Sequence, residues 1–596
     1  MSPALQKGEK DLFADRPGLS TPAQSGKERR SRFFFTLSEW SLLGVLSLLA
    51  FLPRLILALT LDVSTDEPIY VVAGNWYILL LRHLDITSRH WQYNNEHPAF
   101  AKILMGVSVY LSQFFHASNQ LIPARFPSVL FGTLLVVSIY LFGRSPFGRG
   151  IALLAALSFA CSPWVSFFSA QALLDTTMTA LITLAYLLLW PAIQHPRLYL
   201  LCGILVGCAA ASKYPAVLMI PGMIAFIAYY YVFLRPLLPV EQRPTVPWRW
   251  WMLGLALIPL SFFLADPPIW ADPISRLFAS LQFSLAHADT GHVTFWANRV
   301  YDHVPPWMIL FVLAVKVSAF VTLPALFFLL LAIVRLCRFH WQTFLEKRTG
   351  IKPLLLPRKQ VNIIASTAFL LIWLTSALLF FSRLTILVGT HYYLPVAPPL
   401  FLAGACGFVT IARFFARLLW KSKDAILQRQ DSRNFTPRPR KGSFNWQAGL
   451  LFTVLAVLLV GSHFLGLITI NDADGYTSEF FNGENTNVAV MYSGYSDANA
   501  WLIAHSQTGG KVGIVGGAST VLWYISNPRQ KGAFHFIVTS YGRKSYQFDY
   551  LVWPMSLVQR HWRPPNPWWN HIVHTITGGS TIYCYIMARD PSTLLP

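Results

Sequence analysis

Long apolar runs separated by short polar connections make up most of the chain. A helix needs about 20 mostly apolar residues to cross roughly 30 Å of hydrocarbon, and eleven stretches meet or approach that length. The predicted spans are residues 39–61, 126–143, 150–169, 172–192, 198–212, 215–234, 250–266, 307–335, 362–382, 392–412 and 447–470. Another apolar stretch, residues 98–116, contains Lys102 and follows a polar loop, so we predict an outer-face interfacial helix there. The pattern predicts an all-α polytopic membrane protein with about eleven transmembrane helices.

The composition agrees with a membrane protein. Of the 596 residues, 54% are hydrophobic and 12% are charged, against roughly 25% charged residues in soluble domains. The net charge of +21 would suit a nucleic-acid-binding protein. The basic residues, however, lie in short blocks between apolar runs, which is the positive-inside pattern of membrane proteins. We therefore expect no nucleic-acid partner. The six cysteines form no CxxC pair, so we expect no cysteine metal site.

The distribution of Lys and Arg predicts the orientation of the chain. Four basic residues between positions 27 and 32 precede the first span, so we predict a cytoplasmic N-terminus. With eleven crossings, each inner connection then carries Lys or Arg; these connections are residues 144–149, 193–197, 235–249, 335–361 and 413–446. The same count places 62–125, 267–306 and 471–596 outside. We predict a multi-pass plasma-membrane protein with an extracytoplasmic C-terminus.

Three parts follow from this topology. Residues 1–38 form a basic cytoplasmic tail, residues 39–470 form the membrane domain, and residues 471–596 form a small extracytoplasmic α/β domain. In the last part, one helix-like segment precedes three β-rich runs bounded by Gly and Pro. These segments are 496–506, then 511–515, 534–539 and 580–587.

Three polar motifs in the first outer loop are candidates for chemistry. Asp66-Glu67-Pro-Ile-Tyr70 directly follows the first span, and adjacent carboxylates at a membrane surface cost desolvation. Residues 94–102 group an acid, an imidazole and an amine, and Arg125 begins an Arg-Phe-Pro-Ser motif at the mouth of the second span. Each motif also has a structural explanation: a helix start with proline in its first turn, a polar turn, or an arginine that snorkels.

Taken in order, these motifs resemble those of a known superfamily. Asp-Glu-Pro-x-Tyr at 66–70, Glu-His-Pro-x-x-x-Lys at 96–102 and Arg-x-Pro-Ser at 125–128 are similar to the protein O-mannosyltransferase and aminoarabinose-transferase group of GT-C glycosyltransferases. Leu-Leu-Asp-Thr at 173–176 and the segment from Ser382 to Pro395 are also similar to stretches of that group. Residues 291–318 resemble its Gly-His … Trp-Tyr … Lys-Thr-Pro stretch, although Trp-Met and Lys-Val-Ser replace the last two motifs.

This resemblance implies an inverting glycosyltransferase with a GT-C fold. It would move a hexosyl or mannosyl-type sugar from a polyprenyl-phosphate donor to a hydroxyl acceptor on the outer face of the membrane. The acceptor would be a protein Ser or Thr, a glycan or a lipid, and no nucleotide cofactor would be needed. In the second motif His97 stands where the aminoarabinose transferases have a phosphate-binding Lys, which disfavours lipid A as the acceptor.

The resemblance also implies roles for single residues. Asp66 matches the catalytic carboxylate and would be the general base, and Glu67 would orient it or raise its pKa. Asp62, a few residues upstream, is expected to have no part in the chemistry. Five residues are predicted to bind the donor phosphate: Lys102, Arg125, Arg383, His391 and Tyr392. Secondary site residues are Tyr70, Asp175 and Lys316. Some members of the group use a divalent metal, for which the predicted ligands are Glu96, His97 and His292.

A transporter or lipid flippase without transfer chemistry is the main alternative. Transporters typically contain inverted repeats and carry charges near the membrane midplane. This sequence has no evident repeat, and its acidic residues gather in the outer loops. A non-catalytic scaffold would not need carboxylates matched with cationic residues in distant loops. The pattern therefore favours the transferase.

Overall fold

The computed structural model is mostly helical, and it describes residues 37–595 with some gaps. The gaps are residues 65, 117–118, 291–292, 297–298, 350–354, 386, 388, 431–445, 470–474, 482–493, 507–509, 516–534, 540–546, 565 and 579–580. The first half contains α1 (Leu37–Thr60), α2 (Glu67–Arg82), α3 (Phe100–Ser112), α4 (Leu121–Phe147), α5 (Arg149–Ala160), α6 (Pro163–Ser169), α7 (Leu174–Ala192), α8 (Leu198–Ala210), α9 (Ile220–Tyr229), α10 (Trp248–Ala265) and α11 (Pro273–Thr290). The second half contains α12 (Met308–Lys316), α13 (Ala319–Arg348), α14 (Arg358–Phe381), α15 (Ala397–Gln430), α16 (Trp446–Thr469), α17 (Tyr495–His505) and α18 (Met555–Gln559).

Eight helical segments of the described chain are long and apolar enough to cross a membrane. They are Leu37–Thr60, Leu121–Phe147, Leu174–Ala192, Tyr214–Leu237, Trp248–Ala265, Ala319–Glu346, Arg358–Phe381 and Thr390–Phe415. The pair α5 and α6, bent by 65°, makes a ninth if it counts as one span. Apart from short breaks, the predicted spans coincide with helical segments wherever the structure describes them, so the polytopic all-α class is confirmed. The count of eleven is not confirmed. Helix α8 and the apolar part of α16, Ala456–Ile468, are each shorter than a helix that crosses the membrane.

The burial of the helices separates a central layer from a peripheral one. Helix α7 and the segment Thr390–Phe415 are buried along nearly their whole length, whereas α10 is almost entirely exposed. An exposed apolar helix in such a bundle faces lipid. The predicted interfacial helix is α3, which crosses α2 where Gly74 and Gly106 meet. A Cβ on either glycine would collide with the backbone of the other helix, so only glycine allows this approach.

One predicted span is wrong in its course. The sequence suggests a continuous span over residues 307–335, but the helix breaks at Val317 and Ser318. Ser318 caps α13 with its side chain, which accepts a hydrogen bond from the Phe320 amide at 3.2 Å. Lys316 therefore ends the short helix α12 and does not lie within a continuous span.

The C-terminal part contains a five-stranded mixed sheet. Its strands are β3 (Lys511–Val515), β4 (His535–Thr539), β5 (Tyr550–Pro554), β6 (Ile572–Gly578) and β7 (Thr581–Ala588); a separate hairpin joins β1 (Thr294–Trp296) and β2 (Arg299–Tyr301). The order in the sheet is β4-β3-β5-β7-β6, with β3 parallel to β4 and β5, and the other pairs antiparallel. The predicted α/β character of this part is confirmed. The boundary at residue 470 stays a prediction.

The sheet region is attached to the first outer loop. Val63 and Leu121 share a buried apolar cluster with Tyr495, Ala498 and Leu502 of α17 and its neighbours in the sheet. The Asp62 carboxylate accepts hydrogen bonds from the backbone amide and the hydroxyl of Ser496, the amide at 2.9 Å. From residue 44 onward the described chain forms one compact unit.

The connection between α16 and the sheet is attached to the break between α12 and α13. The Ser478 amide donates to the carbonyl of Val315 at 2.6 Å, and Glu479 accepts hydrogen bonds from the Ser318 hydroxyl and the Ala319 amide, both at 2.7 Å. The Lys316 ammonium donates to the carbonyl of Tyr476 at 3.2 Å. Lys316 thus binds this connection, which is a structural role and not the active-site role that the sequence suggested.

Candidate active site

Asp66 lies between the first span and α2, where the chain turns. Pro68 occupies the first turn of α2, and Asp66 precedes the helix without capping it through its side chain. The residue is half-buried, and its carboxylate has no hydrogen bond to any residue that the structure describes. A carboxylate in this state can still accept a proton from a ligand.

The surroundings of Asp66 favour the protonated form more than water does. Burial within the protein raises the pKa of Asp66 to about 6; Lys213 opposes this shift, whereas Glu96, Asp175 and Glu67 add to it. A base with a pKa near the working pH is well suited to take up a proton during a reaction. The predicted effect of Glu67 on the pKa of Asp66 is therefore present, but it is smaller than the effect of burial.

A buried group of charged and aromatic side chains stands next to Asp66. The Lys213 ammonium lies 2.9 Å from both oxygens of Asp175, and both side chains are buried. The Nε2 atom of His391 is 3.9 Å from Asp175, and Lys213 lies 4.1 Å from the centre of the Tyr392 ring. Burial alone would lower the pKa of Lys213, but Asp175 and the neighbouring groups raise it overall, so Lys213 is charged.

Lys213 is the functional candidate that the sequence interpretation missed. It lies between α8 and the 3-10 turn Tyr214–Met219, which opens the next span. The sequence did contain an indication of this residue. Lys213 is the only charged residue between the predicted spans 198–212 and 215–234, and the predicted topology places that connection on the outer face. A lysine on the outer face does not fit the positive-inside rule, which suggests a specific role. In the structure it pairs with Asp175.

Tyr70, His391 and Tyr392 also belong to this group. Burial raises the pKa of the Tyr70 phenol well above its usual value, and Asp66 and Tyr392 add to the shift. The Nδ1 atom of His391 is buried without a hydrogen-bond partner among the described residues. Tyr392 is partly accessible. The structure thus gathers five predicted or newly found side chains around Asp66, namely Tyr70, Glu96, Asp175, Lys213 and Tyr392. His391 joins this group through Asp175.

Arg125 does not have the role predicted for it. Its Nε and Nη2 atoms donate to the two oxygens of Glu67, both at 2.7 Å. The three remaining N–H groups donate to the carbonyls of Ala58, Leu61 and Asp62 at 3.0, 2.8 and 2.6 Å. A guanidinium has five N–H donors, so Arg125 has none left for a phosphate.

Glu67 is saturated in the same way. Besides Arg125 it accepts hydrogen bonds from the backbone amides of Ser64 and Ala172, at 2.8 and 2.7 Å. Glu67 and Arg125 are 0% and 1% exposed. The pair therefore joins the first outer loop to α4 and to the segment before α7, next to Asp66 but out of reach of a substrate.

Lys102 is likewise engaged within the protein. Its ammonium donates to the carbonyl and side-chain oxygens of Asn94, at 2.8 and 3.2 Å, and to the carbonyl of His97 at 2.6 Å. These contacts use all three donors and bury the side chain completely. Lys102 therefore holds the loop that presents Glu96 and His97, and it is not placed to bind a phosphate directly.

Arg383 is the predicted phosphate ligand that stays exposed. It follows the end of α14 and forms no ion pair in the part of the chain that the structure describes. The segment from Arg383 to His391 leads directly to the Asp66 group, although no contact between Arg383 and that group is formed.

Two of the three predicted metal ligands lie together. Glu96 Oε1 is 3.6 Å from His97 Nε2, and both side chains are partly accessible. His292 lies outside the described residues. Among the residues described, no three His, Cys, Asp or Glu side chains are placed to hold a metal ion. The metal site therefore stays a prediction.

The Glu67–Arg125 pair leads to the first testable prediction. We expect Glu67→Gln and Arg125→Gln each to lower the free energy of unfolding by about 3–5 kcal/mol, because each leaves a buried charge without its partner. The double variant Glu67→Gln/Arg125→Gln should lose less stability than the sum of the two single losses. Unfolding of the purified proteins in one detergent measures both effects. Normal stability of Arg125→Gln together with poor donor binding would instead restore the phosphate role.

Comparison with known proteins supports the resemblance seen in the motifs. Residues 96–264 match the model of the dolichyl-phosphate-mannose-protein mannosyltransferase family. No curated protein sequence matches the chain significantly.

Two solved structures illustrate the structural similarity. ArnT from Cupriavidus metallidurans, determined with undecaprenyl phosphate, is 13% identical with a TM-score of 0.44, and the alignment covers 93% of this chain and 99% of ArnT. The archaeal oligosaccharyltransferase AglB from Archaeoglobus fulgidus, in complex with an inhibitory peptide and a dolichol-phosphate, is 11% identical with a TM-score of 0.47, over 87% of this chain and 69% of AglB. The chain resembles the GT-C glycosyltransferases, and the family model confirms the resemblance over the segment that carries Glu96, Asp175 and Lys213.

Proposed function

We propose that the protein is a membrane glycosyltransferase that moves a sugar from a polyprenyl-phosphate donor to a hydroxyl acceptor on the outer face of the membrane. The observation that carries the proposal is the state of Asp66. Asp66 is half-buried, its carboxylate has no hydrogen bond within the described chain, and it interacts with the buried Lys213–Asp175 pair. Glu96, Asp175 and Lys213 all fall in the segment that matches the mannosyltransferase family.

The proposed reaction is a single displacement at the sugar carbon. The acceptor oxygen forms a bond to the anomeric carbon while the bond from that carbon to the phosphate oxygen breaks. The acceptor proton passes to Asp66, and the lipid phosphate leaves with the electron pair of the broken bond. Attack from the face opposite the leaving group inverts the configuration, and no covalent enzyme intermediate is needed.

The leaving phosphate requires positive charge nearby. The group around Asp66 contains more carboxylates than cationic side chains. Asp66, Glu96 and Asp175 are three carboxylates, whereas among the described residues Lys213 is the one ammonium that interacts with Asp66. Cationic groups stabilise the charge that develops on a leaving phosphate. We propose that Arg383 approaches the phosphate when the donor binds. A divalent cation held by Glu96 and His97, with His292, would supply further charge at that place.

The central test is Asp66→Asn. An amide has nearly the shape of a carboxylate but does not take up the acceptor proton at neutral pH. General-base catalysis typically contributes about 10²- to 10⁴-fold, so transfer should fall by at least the lower figure while the protein stays folded. Single-turnover transfer from a defined polyprenyl-phosphate sugar measures the loss.

Asp302→Asn is the matched control for this test. Asp302 is exposed in the second outer loop, so the same chemical change there should leave transfer unchanged. Asp62→Asn would be a poor control, because the Asp62 carboxylate holds Ser496. If Asp66→Asn keeps a normal rate, Asp66 is not the base and a transporter or flippase becomes the better explanation.

The raised pKa of Asp66 predicts how transfer depends on pH. The base must be unprotonated, so kcat/KM should fall as the pH drops through about 6 and should level off above it. A slope of one on the acidic side would indicate a single titrating group. A rate that stays constant between pH 5 and 7 would contradict the assignment of Asp66.

The donor site gives a separate prediction. Arg383→Gln should raise the KM for the polyprenyl-phosphate sugar by about tenfold or more, since a hydrogen bond to a charged group is worth roughly 1.5–3 kcal/mol. Stability should not change, because Arg383 is exposed. Arg358→Gln, at the opposite end of α14, is the matched control. Equal KM values for the two variants would remove Arg383 from the donor site.

A further inference from the structure

An apolar groove opens between α7, α8, α9 and α10, far from the Asp66 group. Its volume is about 540 Å³, which lies within the range of roughly 300–1,000 Å³ for small-molecule sites. Leu189, Val206, Met223 and Leu255 are among its lining residues. Asp175 begins α7 and Leu189 lies near its other end, roughly 21 Å away along the helix axis. The groove therefore lies toward the opposite membrane surface.

Three polar atoms interrupt the apolar lining at one end of the groove. Tyr199, Tyr231 and Trp251 all contribute to the wall, and their ring centres are 4.9 Å apart for Tyr231 and Trp251, and 6.2 Å apart for Tyr199 and Trp251. Both hydroxyl oxygens and the indole nitrogen are buried, and the Tyr199 hydroxyl interacts with both Tyr231 and Trp251. These two contacts among three donor groups leave one tyrosine O–H without an acceptor, although buried polar groups in proteins are nearly always hydrogen-bonded. This end of the groove can therefore donate a hydrogen bond to a ligand that carries an acceptor oxygen.

Two arginines lie close in the sequence to the polar end of the groove, Arg197 two positions before Tyr199 and Arg249 two positions before Trp251. Arg197 precedes α8 and Arg249 lies in the first turn of α10; both are exposed and stand near the Trp250 ring, at 6.0 and 4.9 Å. Neither forms an ion pair within the described chain. The connection 235–249 carries three arginines and a single acid, Glu241. By the positive-inside rule this end of the groove is cytoplasmic.

We infer that the groove binds one anionic glycerophospholipid of the cytoplasmic leaflet. An acyl chain lies along the apolar wall, an ester or phosphate oxygen accepts the hydrogen bond that the Tyr199 and Tyr231 hydroxyls can still donate, and the headgroup faces Arg197 and Arg249. A polyprenyl tail fits less well, because it has no oxygen acceptors along its length. The site is separate from the proposed active site and does not depend on it.

Retention of lipid by the purified protein tests this inference. The full chain is purified in detergent from its own membranes, and native mass spectrometry with lipid extraction identifies what stays bound. The expected result is one anionic phospholipid per protein. No retained lipid, a zwitterionic lipid or a polyprenyl phosphate would each overturn the proposal.

Two pairs of variants make the test specific to the groove. Ala228 lines the groove and Ala225 is an exposed alanine on the same helix that does not line it. Ala228→Phe should remove the lipid, whereas Ala225→Phe should retain it. In nanodiscs, Tyr199→Phe/Tyr231→Phe should weaken binding of phosphatidylglycerol by about tenfold. Arg197→Gln/Arg249→Gln should abolish the preference for phosphatidylglycerol over phosphatidylcholine. Unchanged retention in Ala228→Phe, or equal losses in the two alanine variants, would contradict the site.

Discussion

The buried ion pair between Glu67 and Arg125 determines how the candidate site is built. Arg125 binds three carbonyls at the end of the first span, while Glu67 binds the amides of Ser64 and Ala172. The end of α1, the start of α2, α4 and the segment before α7 are thus joined by these two side chains. Asp66 is the neighbour of Glu67 in the sequence, so its backbone is fixed by this network. Its own carboxylate takes no part in the network and has no hydrogen bond to a described residue.

This arrangement explains why two adjacent acids have different roles. The Glu67 carboxylate accepts four hydrogen bonds, two of them from a guanidinium, and has no capacity left for a substrate. A carboxylate without such bonds, surrounded by protein, is easier to protonate, and the pKa of Asp66 is accordingly raised to about 6. The Asp-Glu dipeptide therefore combines an anchoring residue with a candidate base.

Hydropathy and charge were sufficient to predict an all-α polytopic membrane fold and the α/β character of the C-terminal part. They were insufficient wherever a partner comes from a distant segment. The predicted phosphate ligands Arg125 and Lys102 illustrate the problem, because an arginine or lysine at the end of a span has the same sequence appearance whether it binds a ligand or a carbonyl. The partners of Arg125 lie 58 to 67 positions away in the chain. The break at Val317 was missed for the same reason, since the residues that stabilise it, His463 and Glu479, follow more than 140 positions later.

The same network also connects the candidate site to the C-terminal sheet region. Arg125 accepts no substrate but binds the carbonyl of Asp62, and the carboxylate of Asp62 in turn binds Ser496 at the start of α17. Val63 packs into the apolar cluster of that region, three positions before Asp66. A change in the position of α17 would therefore act on the backbone that carries Asp66, without any direct contact between the two. The sheet region is in this sense part of the structure that positions the base, although none of its described side chains interacts with the Asp66 carboxylate.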